Sequence, residues 1–169
     1  MNSKVSHFLA GLIIGCVLIL FNVILIIFNQ TGNTNYSWIG SAILIVSINY
    51  FIIENSKTNN FKKTFGELFT YGFKSSAIIT LILTAFMIIY TIIFPDSIEK
   101  TIITAREQME SKKDLSEDQI EVALTFTRKF YLPFLIGGTI FSTILIGAVG
   151  SLIGAAIANK KNSNSPFEN

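Results

Sequence analysis

Residues 8–28 read FLAGLIIGCVLILFNVILIIF, a run without a single Lys, Arg, Asp, Glu or His. A helix crossing ~30 Å of hydrocarbon needs about 20 residues at ~1.5 Å rise, so this run is long enough for one crossing. Stretches 36–53, 75–94 and 132–158 share the same freedom from charge. The last of them exceeds a perpendicular crossing and must tilt or lay one end in the interface. Pro133 fits a helix start near Leu132, because proline is tolerated in a first helical turn. No segment alternates in polarity as a barrel strand does. The expected fold is all-α: a polytopic membrane protein with four transmembrane helices and an extramembrane helical hairpin over 95–131. Residues 1–158 form one transmembrane domain, followed by a disordered polar tail over 159–169.

The 169-residue chain is 50% hydrophobic and 14% charged, against about 25% charged for soluble domains. All 13 basic and 11 acidic residues fall outside the four apolar stretches. A net charge of +2 spread over several connections gives no basic face for nucleic acid. The single cysteine, Cys16, excludes an intramolecular disulfide and a multi-Cys metal site. His7 is alone, and neither H-e-x-x-h nor C-x-x-C spacing occurs, so no metal or cofactor is expected. The expected partner is the lipid bilayer, together with a second copy or another membrane protein.

The first run is too long for a signal h-region of about 7–15 residues, and Asn29-Gln30-Thr31-Gly32 offers no small-residue cleavage site. Ile13-Ile14-Gly15-Cys16 fits a permissive lipobox, but the chain continues apolar through Val17-Leu18-Ile19-Leu20-Phe21, where a lipoprotein has a polar tether. Cys16 therefore reads as a small apolar residue within a helix. Orientation rests on Lys and Arg in the connections. With both termini inside, Lys4, Lys57, Lys62, Lys63, Lys74, Lys160 and Lys161 are cytoplasmic. Lys100, Arg106, Lys112, Lys113, Arg128 and Lys129 then lie outside, in a segment that also carries eight acids. The balance leans towards cytoplasmic termini.

Two connections carry helix-start signals. Thr64-Phe65-Gly66-Glu67 is a capping box, and Phe61, Phe65, Leu68, Phe69 and Phe73 follow at helical spacing. Such a face with flanking lysines suits a helix at headgroup depth; the plainer reading extends the third span, with Gly72 as a bend. In the long connection Ile98, Ile102, Ala105 and Met109 share one helical face. Ser116-Glu117-Asp118-Gln119 is a second capping box, and Ile120, Ala123, Leu124, Thr127 and Phe130 continue from it. Asp114, Glu117, Asp118 and Glu121 share a side, which reads as a solvated acidic first turn favoured by the helix dipole rather than a cation site. The calcium-loop pattern is absent.

Several of these segments together resemble one family. Thr64-Phe65-Gly66-Glu67-Leu68-Phe69-Thr70-Tyr71-Gly72-Phe73-Lys74, then Pro95-Asp96, then Leu115-Ser116-Glu117-Asp118-Gln119-Ile120-Glu121 and Ser151-Leu152-Ile153-Gly154-Ala155-Ala156 are similar to the small bacterial membrane proteins grouped as domain of unknown function 4199. The resemblance implies a four-helix membrane protein with a longer third connection. It carries no activity, substrate or catalytic residue.

Each span holds a stripe of small or polar residues. These are Gly11, Gly15, Leu18 and Asn22; Ser37, Gly40, Ser41, Leu44 and Ser47; Ser76, Thr80, Thr84 and Thr91; and Thr143, Gly147, Gly150, Gly154 and Ala158. Small side chains let helix backbones approach in lipid, so the stripes predict a compact four-helix bundle. Gly11–Gly15 and Gly150–Gly154 have G-x-x-x-G spacing, which marks Gly11, Gly15, Gly147, Gly150 and Gly154 as helix-packing positions; the two pairs are placed to face each other or a second copy.

The same hydroxyls, with Asn22, Asn49, Tyr50 and Tyr90, could line a route for a small solute. Ser and Thr also bond to their own helix backbone, which favours packing. Proton- or voltage-coupled transport relies on intramembrane ionisable residues, and these spans have none. An enzyme needs an acid, base or nucleophile shielded from water, and the clustered ionisable groups here lie in exposed connections. No enzymatic activity is expected. The reading that remains is a non-catalytic accessory or assembly component of the bacterial cytoplasmic membrane. A small-solute transporter or channel acting as an oligomer is the alternative.

Overall fold

The computed structural model describes residues 5–28, 30, 34–60, 62–111 and 115–163. Six helices follow one another: α1 (His7–Ile27), α2 (Thr34–Lys57), α3 (Phe65–Ile93), α4 (Asp96–Glu110), α5 (Glu117–Lys129) and α6 (Tyr131–Ser163). Four are long and apolar enough to cross a membrane, over His7–Ile27, Trp38–Lys57, Phe65–Ile93 and Tyr131–Lys160. No strand occurs among the described residues. The protein is an all-α, multi-pass membrane protein, with the charged helices α4 and α5 as a hairpin between its third and fourth spans.

Local chemistry sets the helix ends. The Ser6 hydroxyl accepts from the Leu9 N–H at 3.2 Å and starts α1. After α2, Asn60 adopts φ 52°, a left-handed conformation that Asn tolerates better than other side chains, and the chain turns towards α3. At Thr64 the capping box is made in both directions. The Thr64 N–H donates to Glu67 Oε2 at 2.8 Å, and the Glu67 N–H to Thr64 Oγ1 at 3.4 Å.

The chain divides into two compact units, Met1–Leu83 with Ile140–Asn169, and Thr84–Thr139. In the first, each helix buries a ridge at four-residue spacing or close to it. Ala10, Ile14 and Leu18 meet Leu44, Ile48 and Ile52, with Leu68, Tyr71 and Ile79 from α3 and Ala155 and Ala158 from α6. Leu20, Val46, Leu81 and Phe141 point away from this core and stay exposed, as lipid-facing residues do.

The second unit contains the hairpin. Ile102, Ile120 and Leu124 form its core, with Ile98, Ala105 and Met109 packed against them. The Ser116–Gln119 capping box is formed at the start of α5.

Two boundaries differ from the sequence reading. The phenylalanine-rich segment after Thr64 extends the third span, as the plainer reading had it, but without the bend expected at Gly72: it forms the first turns of α3, which runs unbroken from Phe65 to Ile93. Nothing after Thr64 breaks it, since Gly72 is held by close packing, and Leu68 is fully buried. At 29 residues α3 is about 43 Å long, so its first turns, with Glu67 and Lys74, extend beyond the hydrocarbon. Phe61 lies outside the described residues. The polar tail also begins later than 159. Helix α6 continues to Ser163, where lysines near a helix C-terminus complement its dipole, and 164–169 lie outside the described residues.

Candidate functional site

The first unit's inner helix faces hold most of the sequence's informative residues. A Cβ added at Gly11 would lie 2.8 Å from both the Ser75 carbonyl oxygen and Ile78 Cβ, and one at Gly15 would lie 3.0 Å from Ile82 Cδ1. The α1 glycines therefore seat α3. A Cβ at Gly147 would come within 2.5 Å of Ser76 Cβ, so this glycine also meets α3. Gly150 and Gly154 meet α2 instead. Their added Cβ atoms would lie 3.4 Å from Ile45 Cα and 2.8 Å from Ile52 Cδ1. The two G-x-x-x-G pairs thus face different helices rather than each other.

The sequence reading missed the packing role of Gly72. A Cβ there would sit 2.6 Å from Ile52 Cδ1 and from Ser151 Oγ, which makes it a close contact to both α2 and α6. The signal available was its four-residue spacing to Ser76, on the same helix face.

The polar side chains of the spans are tied largely to their own helices. Ser76 donates to Gly72 O at 3.0 Å, Thr80 to Ser76 O at 2.8 Å and Ser151 to Gly147 O at 2.6 Å. Thr91 and Thr139 do the same with Met87 and Leu135. Asn22 donates to Leu18 O at 2.8 Å. Asn49 reaches further. Its Nδ2 donates to Ile45 O at 2.7 Å and across to Gly150 O at 3.2 Å, which fixes the amide and leaves Oδ1 buried without a hydrogen-bond partner. That oxygen lies 3.0 Å from where a Gly154 Cβ would be, so a side chain at position 154 would crowd the amide. The side chain of Ser37 lies outside the described residues.

A second polar group gathers where α1 starts, α2 ends and α3 begins. The Tyr71 hydroxyl donates to Val5 O at 3.0 Å, and the Ser75 hydroxyl lies 3.1 Å from His7 O and 2.9 Å from Tyr71 O. The Lys63 ammonium donates to Asn55 Oδ1 at 2.5 Å and stands 5.8 Å from the Tyr71 ring. His7 meets the same ring edge-on at 6.5 Å. These contacts fasten the entrance of α1 to α3, and no reading of the sequence alone had joined these positions.

A family model described as "Protein of unknown function (DUF4199)" matches residues 9–160. The chain belongs to this family. No curated protein and no solved structure matches it. The DUF4199 match takes in all four spans and both hairpin helices, so the glycine contacts and the hairpin fall within the family's own extent.

The hairpin is where this DUF4199 chain concentrates charge. Arg106 bridges helices: NH1 donates to Glu117 Oε1 at 2.9 Å, and NH2 is bound to Glu121. The Glu117 hydrogen bond, aided by the Glu121 charge, raises the guanidinium pKa above its ordinary value. Arg128 Nη2 donates to both carboxylate oxygens of Glu99, at 2.9 and 3.0 Å. Two of the four acids on the α5 side, Glu117 and Glu121, are thereby occupied by a cation from the chain itself. Asp114 lies outside the described residues, and no His, Cys, Asp or Glu grouping able to hold a metal occurs among the described ones.

Proposed function

We propose that this DUF4199 protein is a non-catalytic accessory or assembly component of the bacterial cytoplasmic membrane, with both termini on the cytoplasmic side. One observation carries the reading. Gly11, Gly72, Gly147 and Gly154 sit at close approaches between helices, and the hydroxyls of Ser76, Thr80 and Ser151 are taken up by carbonyls of their own helices, so these groups are not free to line a path for a solute. A scaffold whose polar groups serve its own packing suits a protein that acts through partners in the bilayer.

Mild-detergent affinity purification after cross-linking in native membranes tests this. The expected result is a membrane protein at fixed stoichiometry whose assembled fraction falls when the chain is deleted. Solute flux through proteoliposomes holding the purified chain alone would favour the alternative, an oligomeric transporter or channel.

Orientation is tested separately with single cysteines in a Cys16→Ser background. Ser56 is fully buried and reports on neither side, so exposed Lys62 and Asn159 serve as the inner positions and exposed Ser111 as the outer one. A membrane-impermeant thiol reagent on intact spheroplasts is expected to label Ser111→Cys and spare Lys62→Cys and Asn159→Cys. The opposite pattern reverses the topology.

A further inference from the structure

Helix α5 carries two apolar faces, and the hairpin core uses only one. Ile120 and Leu124 turn inward to α4, whereas Val122 and Phe126 lie on the far side of the helix and are 70% and 53% exposed. Singly exposed apolar residues are ordinary on a helix surface, so what matters at Val122 and Phe126 is that they adjoin, one turn apart, and lead towards the span.

The joint with α6 shows where this second face points. Helix α5 ends at Lys129 and α6 begins at Tyr131, with Phe130 alone between them. The Phe126 ring lies 4.6 Å from that of Phe130 and 5.8 Å from that of Phe134. In one straight helix, residues eight apart are separated by about 12 Å along the axis. The chain therefore bends at Phe130, with Phe126 and Phe134 on the inside of the elbow. Phe134 belongs to the first turn of the fourth span and is itself exposed. The inside of the elbow is consequently the side of α5 that looks down along the outer surface of that span, where lipid lies. Val122 continues the same underside one turn further out.

Of the polar residues on this side, Asp118 is exposed one turn before Val122, at the end of α5 away from the span, and Lys129 lies at the end next to the span. Lys129, exposed beside Val122 and Phe126 on the helical wheel, stands 5.6 Å over the Phe130 ring, a long cationic side chain of the kind that reaches from an apolar surface to an anionic headgroup. Glu117 and Glu121 turn away to Arg106. Apolar and aromatic residues with a flanking lysine at the mouth of a span match the chemistry of the headgroup boundary.

We propose that Val122, Phe126 and Lys129 form a lipid-contact surface by which α5 lies on the membrane leaflet around the fourth span, so that the hairpin rests on the bilayer. The surface is a property of the hairpin and does not depend on the accessory role.

The test uses the full chain in the Cys16→Ser background, with bimane attached at Val122→Cys. The protein is reconstituted in phosphatidylethanolamine–phosphatidylglycerol vesicles, with and without phosphatidylcholine brominated in the upper acyl chain. Val122 is exposed, so the label displaces no packed group, and monodisperse elution checks the fold. Ser111→Cys at the hairpin tip and lipid-facing Leu145→Cys in α6 bracket the scale. Brominated lipid is expected to quench the Val122 label severalfold more than the Ser111 label and close to the Leu145 label, at any protein-to-lipid ratio. Quenching equal to that at Ser111 overturns the proposal. So does protection from aqueous iodide that disappears on dilution with lipid, which would mean that a second copy covers this face.

Discussion

Gly147→Ala and Gly11→Ala each lower the melting temperature of the detergent-solubilised protein, while Gly137→Ala holds or raises it. Alanine is favoured over glycine in a helix interior by about 0.8–1 kcal/mol, so the substitution helps wherever the new methyl finds room. Nothing lies within 4 Å of the Cβ position at Gly137. At Gly147 the methyl would come within 2.5 Å of Ser76 Cβ, and at Gly11 within 2.8 Å of the Ser75 carbonyl oxygen and Ile78 Cβ. Backbone atoms and Cβ atoms cannot rotate away, so two helices must separate. Overpacking of this kind costs typically about 1–3 kcal/mol, more than the propensity gain. Gly150→Ala, whose nearest neighbour is Ile45 Cα at 3.4 Å, should be close to neutral. The larger Gly154→Leu should destabilise strongly while Ile153→Leu, on an exposed face, stays silent. Equal melting of Gly147→Ala and Gly137→Ala would show that the α3–α6 approach does not limit stability.

Leu124→Ala unravels the hairpin and leaves the spans folded. Removing a buried leucine typically costs about 2–5 kcal/mol, and among the described residues this core has just Ile102 and Ile120 as its other buried members. The helices are 15 and 13 residues long, lengths that are marginal without tertiary support. Hydrogen–deuterium exchange of the reconstituted protein reads the result directly. Amides of α4 and α5 should lose protection while those of α1 keep theirs. Arg106→Gln should have a smaller effect that shrinks in high salt, because exposed ion pairs are weak and screened by salt. Unchanged α5 protection in Leu124→Ala would mean that contacts other than the Ile102–Ile120–Leu124 cluster hold the hairpin.

The features legible in the sequence are those governed by local chemistry. Charge-free runs mark the four spans, because the energetic penalty for charge in hydrocarbon acts residue by residue. The two capping boxes at Thr64 and Ser116 depend on residues three positions apart and form as the spacing implies. The hairpin's inner face follows from helical periodicity over Ile98–Met109 and Ile120–Leu124.

What was not legible depends on contacts between distant segments. Glycine spacing shows that a backbone approach is available but not which helix takes it, so Gly11 meeting α3 and Gly154 meeting α2 had no sequence signature. Tyr71 and Val5 are joined across 66 positions by one hydrogen bond. The start of α3 was ambiguous for a different reason. Phenylalanines with flanking lysines describe both a surface helix and the emergent turns of a long span, and the burial of Leu68 decides between them.

The back-bonded hydroxyls have a consequence for biogenesis. A polar side chain that satisfies itself within its own helix, as Ser76, Thr80 and Ser151 do, carries no debt into the lipid when that helix leaves the insertion machinery alone. Spans of this kind can partition one by one during synthesis and find their neighbours afterwards. Asn49 behaves differently. Its amide completes its second bond only at Gly150. One N–H of the amide has its partner, Ile45 O, within α2 itself, while the other can reach Gly150 O only after about a hundred further residues have been translated and α6 has arrived.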